Sequence, residues 1–132
     1  LPEISGDLEQ LIQAVLNIVR NAMQALTENP HQQQPPQIIL RTRAVTHATV
    51  ASVTHKLVVR IEIIDNGPGI PAHIIENIFY PLISGRAEGT GLGLSIAQNI
   101  IKNHAGLIEC ESQPGRTRFM LSIPINAEGS NT

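Results

Sequence analysis

Cysteine, charge and long apolar runs are all in short supply. Cys110 is the only thiol among 132 residues, so no disulfide can close within the chain, and a reducing, cytoplasmic setting is expected. Charged residues make up 15%, and 9 Lys and Arg against 11 Asp and Glu leave a formal net charge of −2. That balance supplies no general field for nucleic acid, so a phosphate would have to be held by local geometry or by a metal. No apolar stretch reaches the 18 residues of a membrane-crossing helix, and no membrane contact is expected. The pair Gly-Lys occurs nowhere, which excludes a Walker A loop. The chain opens at Leu1 with neither Met nor a signal-like segment, as expected of a domain excised from a longer protein.

What is present suffices for one core. Hydrophobic residues reach 42%, and the length suits a single domain, residues 1–132. Residues 5 to 28 repeat apolar side chains at the 3–4 spacing of a helix: Leu8, Leu11, Ile12, Val15, Ile18, Val19, Ala22, Ala25 and Leu26. Ser5 is placed to cap it. "ENPHQQQPPQ" is a polar, Pro-rich loop. "IILRTRAV" and "KLVVRIEIID" are β-branched and read as strands, joined by the weakly patterned "THATVASVTH" as a loose connection. Pro71 opens a short helix. A second long helix runs from about Leu92 to His104, with Gly106 as its left-handed stop. "LIECES" and "RTRFMLSIPI" form a hairpin across "QPG", with Thr117, Phe119, Leu121 and Ile123 on one face. The order is helix, two strands, two helices, two strands. It predicts an α+β fold, a two-layer sandwich in which a mixed, mostly antiparallel sheet carries about three helices on one face.

Three features invite a chemical reading, and each has a plainer one beside it. Gly89, Gly91 and Gly93 enter a helix whose first N–H groups suit an anion, but the same loop could be a mere connector. The spacing is not that of a dinucleotide-binding fingerprint, since position 94 is Leu. Asp65 ends an apolar strand and could accept a ligand N–H, or could serve only its own "DNGPG" turn. Asn17 and Asn21, four apart on the helix face opposite the apolar stripe, offer neutral oxygens to a hard cation, or a solvated polar face.

Taken together, "NIVRNAMQA" (17–25), "DNGPGI" (65–70), "IFYPL" (78–82) and "GTGLGLSI" (89–96) resemble the N, G1, F and G2 boxes of the catalytic ATP-binding domain of sensor histidine kinases, within the GHKL (Bergerat-fold) superfamily. The resemblance covers nearly the whole chain. "NGPGIP" and "PLISGRAEGTGLGL" are most similar to the nitrogen-regulation kinases of the NtrB type. It implies ATP and Mg²⁺ as cofactors. Asp65 would take the adenine amino group, Gly67, Gly69 and Ile70 would bound the base pocket, and Thr117 would join the adenine side through water. Asn21 would coordinate Mg²⁺, and Asn17 would lie beside the phosphates. Gly89, Thr90, Gly91, Leu92, Gly93 and Leu94 would line the phosphates with their backbone. Residues 81–92 would form a lid over ATP, with Phe79 and Tyr80 at its start and Arg86 where many relatives carry a lid Lys.

The chain departs from the hydrolytic members of that superfamily at one position. Gyrase and Hsp90 place a Glu four residues before the metal-binding Asn, where this chain has Asn17. An amide cannot act as a general base, so efficient hydrolysis is not expected and a protein acceptor becomes the natural fate of the γ-phosphate; the resemblance implies that this acceptor is a His. None of His31, His47, His55, His73 and His104 sits in an acceptor motif; His31, His47 and His55 read as loop or loop-edge residues. The resemblance therefore implies a separate dimerisation and phosphoacceptor domain, a response regulator, and the PII signal protein as partners, with the isolated domain monomeric. The competing expectation is a nucleotide-dependent binding module without transfer activity of its own.

Overall fold

The computed structural model describes residues 5–28, 34–79 and 93–125, and of residues 5–7 only the backbone. Helix α1 (Ser5–Thr27) leads into β1 (Ile38–Val50) and β2 (Val53–Asp65), followed by a single helical turn α2 (Ala72–Ile75), helix α3 (Gly93–Asn103), β3 (Leu107–Gln113) and β4 (Arg116–Pro124). The strands lie in the order β1-β2-β4-β3, and every pairing among them is antiparallel. The helical residue Leu92 and the lid 81–92 expected from the sequence lie outside the described residues.

One core fills the space between the sheet and the helices. Ala14 and Ile18 of α1 meet Leu94, Ala97, Ile100 and Ile101 of α3 over Ile63, Ile108, Phe119, Leu121 and Ile123 of the strands. The four β4 positions expected on one face, Thr117, Phe119, Leu121 and Ile123, are all buried. Alternation along a strand makes this possible, since every second side chain points to the helices.

The apolar stripe of α1 is wider than the surface it covers. Ala14, Ile18, Ala22 and Leu26, one per turn, form the buried rung. Leu8 and Ile12, expected in that stripe, are exposed together with Leu16 and Met23. Leu11, Val15 and Val19 of the same stripe are partly buried and pack against the core.

The connection 46–55 is not loose. β1 and β2 stay paired to Val50↔Val53, and Ala51 and Ser52 alone make the turn, at φ 50° and 74°. His47 and His55 are therefore strand residues. His47 itself has φ 55°, and beyond it Ala48 and Val50 are buried against Val58 in a small second cluster. Two left-handed residues are the requirement of the tight hairpin turn that matches strand twist. Ala and Ser do not advertise it as Asn-Gly would.

The stop of α3 also differs in detail from expectation. The left-handed residue is Ala105, at φ 61°, one position before Gly106. Gly106 N donates to Ile101 O at 2.9 Å and Ala105 N to Lys102 O at 2.9 Å, the paired bonds of a Schellman ending. Gly106 is needed for space: a Cβ there would lie 2.5 Å from Ser122 O.

The outer face of the sheet is laced by charge. Arg118 Nε donates to Glu62 Oε2 at 2.6 Å and its Nη1 to Glu111 Oε1 at 2.9 Å, while Arg41 lies 3.9 Å from Glu62. This row crosses all four strands. The Arg118 hydrogen bond, more than the surrounding charge, holds the Glu62 carboxyl below its ordinary range.

Candidate nucleotide-binding site

β2 runs out of core at Asp65. The residue is 4% exposed, ends the buried run Ile63–Ile64 and pairs across the sheet with Thr117, itself 4% exposed. Gly67 N donates to Asp65 Oδ1 at 2.8 Å. Among the described residues the carboxylate has no other hydrogen bond and no cation. Burial pushes its pKa up, and the Gly67 bond offsets part of that rise. An acid in such a place costs stability unless further donors reach it.

The glycines after Asp65 are set by close approach. A Cβ on Gly67 would meet Asp65 Oδ1 at 2.9 Å and face Leu26 and Ala25 of α1. Gly69 has φ 90°, and a Cβ on it would lie 2.7 Å from Gln113 O. The turn 65–70 is thus wedged between the end of α1 and the β3–β4 hairpin. Gly115 N donates to Gly67 O at 3.1 Å, closing that contact. Asn66 ties the turn to the segment that leads into β1: its Nδ2 donates to Pro35 O at 3.0 Å and its Oδ1 accepts Gln37 N at 2.9 Å. The turn reading of Asp65 is met, since its Oδ1 takes the N–H two residues on.

Asn17 and Asn21 are half-buried. They flank the buried rung on the side toward α3, rather than standing opposite the apolar stripe as the sequence suggested. Residues 14, 17, 18, 21 and 22 share neighbouring positions on a 3.6-residue helix, so the rung and the pair are contiguous. Asn17 Nδ2 donates to Gly93 O at 3.3 Å, which ties α1 to the first residue of α3. Leu94 and Ser95 follow, both with buried side chains. Arg86, Gly89, Thr90, Gly91 and Leu92 lie outside the described residues. Phe79 packs edge-on against Phe119, with ring centroids 6.1 Å apart and planes at 75°. It is a core aromatic, partly buried, and the last described residue before position 80.

One residue escaped the sequence reading. Ser112 of β3 accepts the Ile70 N–H on its Oγ at 2.7 Å, and its hydroxyl lies 2.7 Å from Thr117 Oγ1. It pairs with Thr117 in the β3–β4 register, as Thr117 pairs with Asp65 in β2–β4. Asp65, Thr117 and Ser112 therefore form one row across three strands. The only signal in the sequence was the parity of Ser112 and Thr117 about "QPG", which makes them partners in a two-residue hairpin. Nearby, burial and then the charges of Asp65 and Glu111 push the Cys110 thiol up to about 12, so it stays protonated and unreactive at neutral pH.

The site is therefore a buried acid at the end of a sheet, a glycine turn held against two neighbouring elements, and Asn17 of α1 tied to the start of α3. Among known proteins, the chain is 50% identical over 125 residues to the sensory histidine kinase/phosphatase NtrB of Escherichia coli O157:H7, covering 95% of this chain and 34% of that protein. It is 42% identical over 128 residues to the NtrB of Rhodobacter capsulatus, again covering 95% and 34%. The chain thus spans about a third of the length of these curated relatives. The catalytic domain of the histidine kinase ThkA, in a nucleotide-free crystal form, superposes with a TM-score of 0.70 at 28% identity, covering 92% of this chain and 70% of that one. Full-length ShkA in complex with AMPPNP shares the fold, with a TM-score of 0.66 at 22% identity over 87% of this chain and 21% of that one. The family model of histidine kinase-, DNA gyrase B- and HSP90-like ATPases matches residues 6–127, and the chain belongs to that family.

Proposed function

We propose that this chain is the ATP-binding catalytic domain of a two-component sensor histidine kinase acting in nitrogen regulation, and that it passes the γ-phosphate of ATP to a His on a separate dimerisation domain. The observation that carries the reading is Asp65: a nearly buried carboxylate with one oxygen taken by Gly67 and no cation among the described residues. An amino group on a flat base is the donor such a site lacks. Gly67 and Gly69 bound the base pocket through the turn that their close packing against α1 and Gln113 fixes, and Ile70 packs against the core beside it. Thr117 stands next to the acid in the same row.

The remaining assignments rest on the resemblance of the four sequence motifs. Residues 81–92 form the lid, and the backbone of Gly89, Thr90, Gly91, Leu92, Gly93 and Leu94 faces the phosphates, as a helix N-terminus favours. Asn21 holds Mg²⁺, with Asn17 beside the phosphates and Arg86 compensating charge from the lid. When bound, Mg·ATP supplies a transferable phosphoryl group whose charge the metal and the loop amides neutralise. Asn17 has an amide where a hydrolase needs a carboxylate, and its Nδ2 is turned to Gly93 O; water activation therefore has no base at this position. The acceptor domain belongs to the same kinase, a response regulator receives the phosphate, and the PII protein is a regulatory partner. Residues 1–132 act as one monomeric domain.

Calorimetric titration with Mg·ATP, followed by transfer of labelled phosphate to a purified dimerisation domain, tests this. Saturable binding in the micromolar to millimolar range and label on the acceptor His are expected. Asp65→Asn should weaken binding about tenfold to a hundredfold, because hydrogen bonds to a charged group are worth roughly 1.5–3 kcal/mol. Bound nucleotide without transfer would leave only a binding module. Unchanged affinity in the variant would remove Asp65 from the site.

A further inference from the structure

The geometry points to Ser112 as a positioning residue that fixes the direction of the Thr117 hydroxyl, so that Thr117 donates toward an acceptor nitrogen on the purine edge beside Asp65. The inference rests on the purine reading of Asp65 given above. It concerns a residue in β3 whose two contacts join the turn after Asp65 to the row across the sheet.

The hydrogens decide the direction. Ser112 Oγ already accepts the Ile70 N–H at 2.7 Å. A hydroxyl that accepts from an amide becomes a better donor, because hydrogen bonds in a chain polarise one another. Its oxygen could also accept from Thr117, since a hydroxyl has two lone pairs; the polarised Ser112 hydroxyl is assigned as the donor to Thr117 Oγ1, 2.7 Å away. With that oxygen accepting from Ser112, the Thr117 hydrogen is directed elsewhere. Thr117 is 4% exposed and lies directly across from Asp65, so the hydrogen stays on the buried side of the row. An adenine edge offers a donor, the 6-amino group, next to an acceptor, ring nitrogen N1. Asp65 accepts and Thr117 donates, directly or through one water, which matches that alternation. Guanine presents the reverse pattern, an acceptor at position 6 and a donor at N1. Ser112 thus contributes to base selectivity without touching the base. The same side chain holds Ile70, so the turn and the hydroxyl are set together.

The test compares ADP with 1-deaza-ADP, in which a C–H replaces N1 while the 6-amino group remains, both titrated with Mg²⁺ into this chain. The wild type is expected to bind ADP about threefold to tenfold more tightly, the span of one neutral hydrogen bond. Ser112→Ala should bring that ratio close to one, and Ser112→Thr, which keeps a hydroxyl, should retain it. Loss of a merely structural support would weaken both nucleotides alike and leave the ratio unmoved, which would overturn the inference. A wild type indifferent to N1 would overturn it as well. If Asp65→Asn weakens ADP but Ser112→Ala leaves the ratio intact, this inference fails alone. If Asp65→Asn changes nothing, the purine reading fails and takes this one with it.

Discussion

At the scale of single residues, the acid proposed to meet the purine is by itself a burden to the fold. Asp65 is desolvated and meets one backbone donor, so its protonated form is favoured in the folded state. The folded pKa lies above the unfolded one. Stability from this group is therefore complete below the ordinary carboxylate range and is lost as pH rises through the raised value. Asp65→Asn keeps an oxygen for Gly67 N–H and removes the charge. Denaturant unfolding without nucleotide should find the variant more stable than the wild type near pH 7, with the gap closing as pH falls. A variant uniformly less stable at every pH would show that the carboxylate supports the fold. Most of the proposed site was legible at this scale because turn and cap chemistry is local: Asp-Asn-Gly-Pro-Gly announces both the bend and the acid. Ser112 was not, because its role depends on strands brought together from different parts of the chain.

At the scale of elements, the two departures at chain reversals share one cause. Left-handed backbone is usually read from Gly or Asn, and here Ala51, Ser52 and Ala105 adopt it instead. Each costs roughly 1–2 kcal/mol relative to a residue that tolerates the conformation. The hairpin was consequently read as a slack connection, and the helix stop was placed one residue late. Replacing Ala51 by Asn together with Ser52 by Gly should raise thermal stability by about 1–2 kcal/mol while leaving nucleotide affinity unchanged, since the turn is remote from Asp65 along β2. A loss of stability would show that the native turn gains from contacts of these side chains. The helices and the four strands were readable because their periods of 3.6 and 2 survive in the sequence. The width of the face that α1 buries was not, since it depends on how close α3 and the sheet come.

At the scale of the molecule, the core and the site share residues. Phe119 is fully buried at the centre of β4, two positions from Thr117, and carries Phe79 on its ring. Phe119→Ala should cost about 3–5 kcal/mol, a large part of the stability of a domain this size. Saturating nucleotide should recover some of that loss: a ligand at 100 times its Kd adds about 2.7 kcal/mol to the folded state. A thermal melt with and without Mg·ADP reads both effects, and a variant as stable as the wild type would contradict the packing described for β4.

The two ends of the segment 80–92 are moored to the core independently of what lies between them. Phe79 is held by an aromatic contact and Gly93 by an amide from α1. The distance the intervening chain must span is thus a property of the scaffold. Joining two fixed points through a longer flexible chain costs only about 0.6 kcal/mol per doubling of length, so a variant with a few residues added within 81–92 should melt close to the wild type.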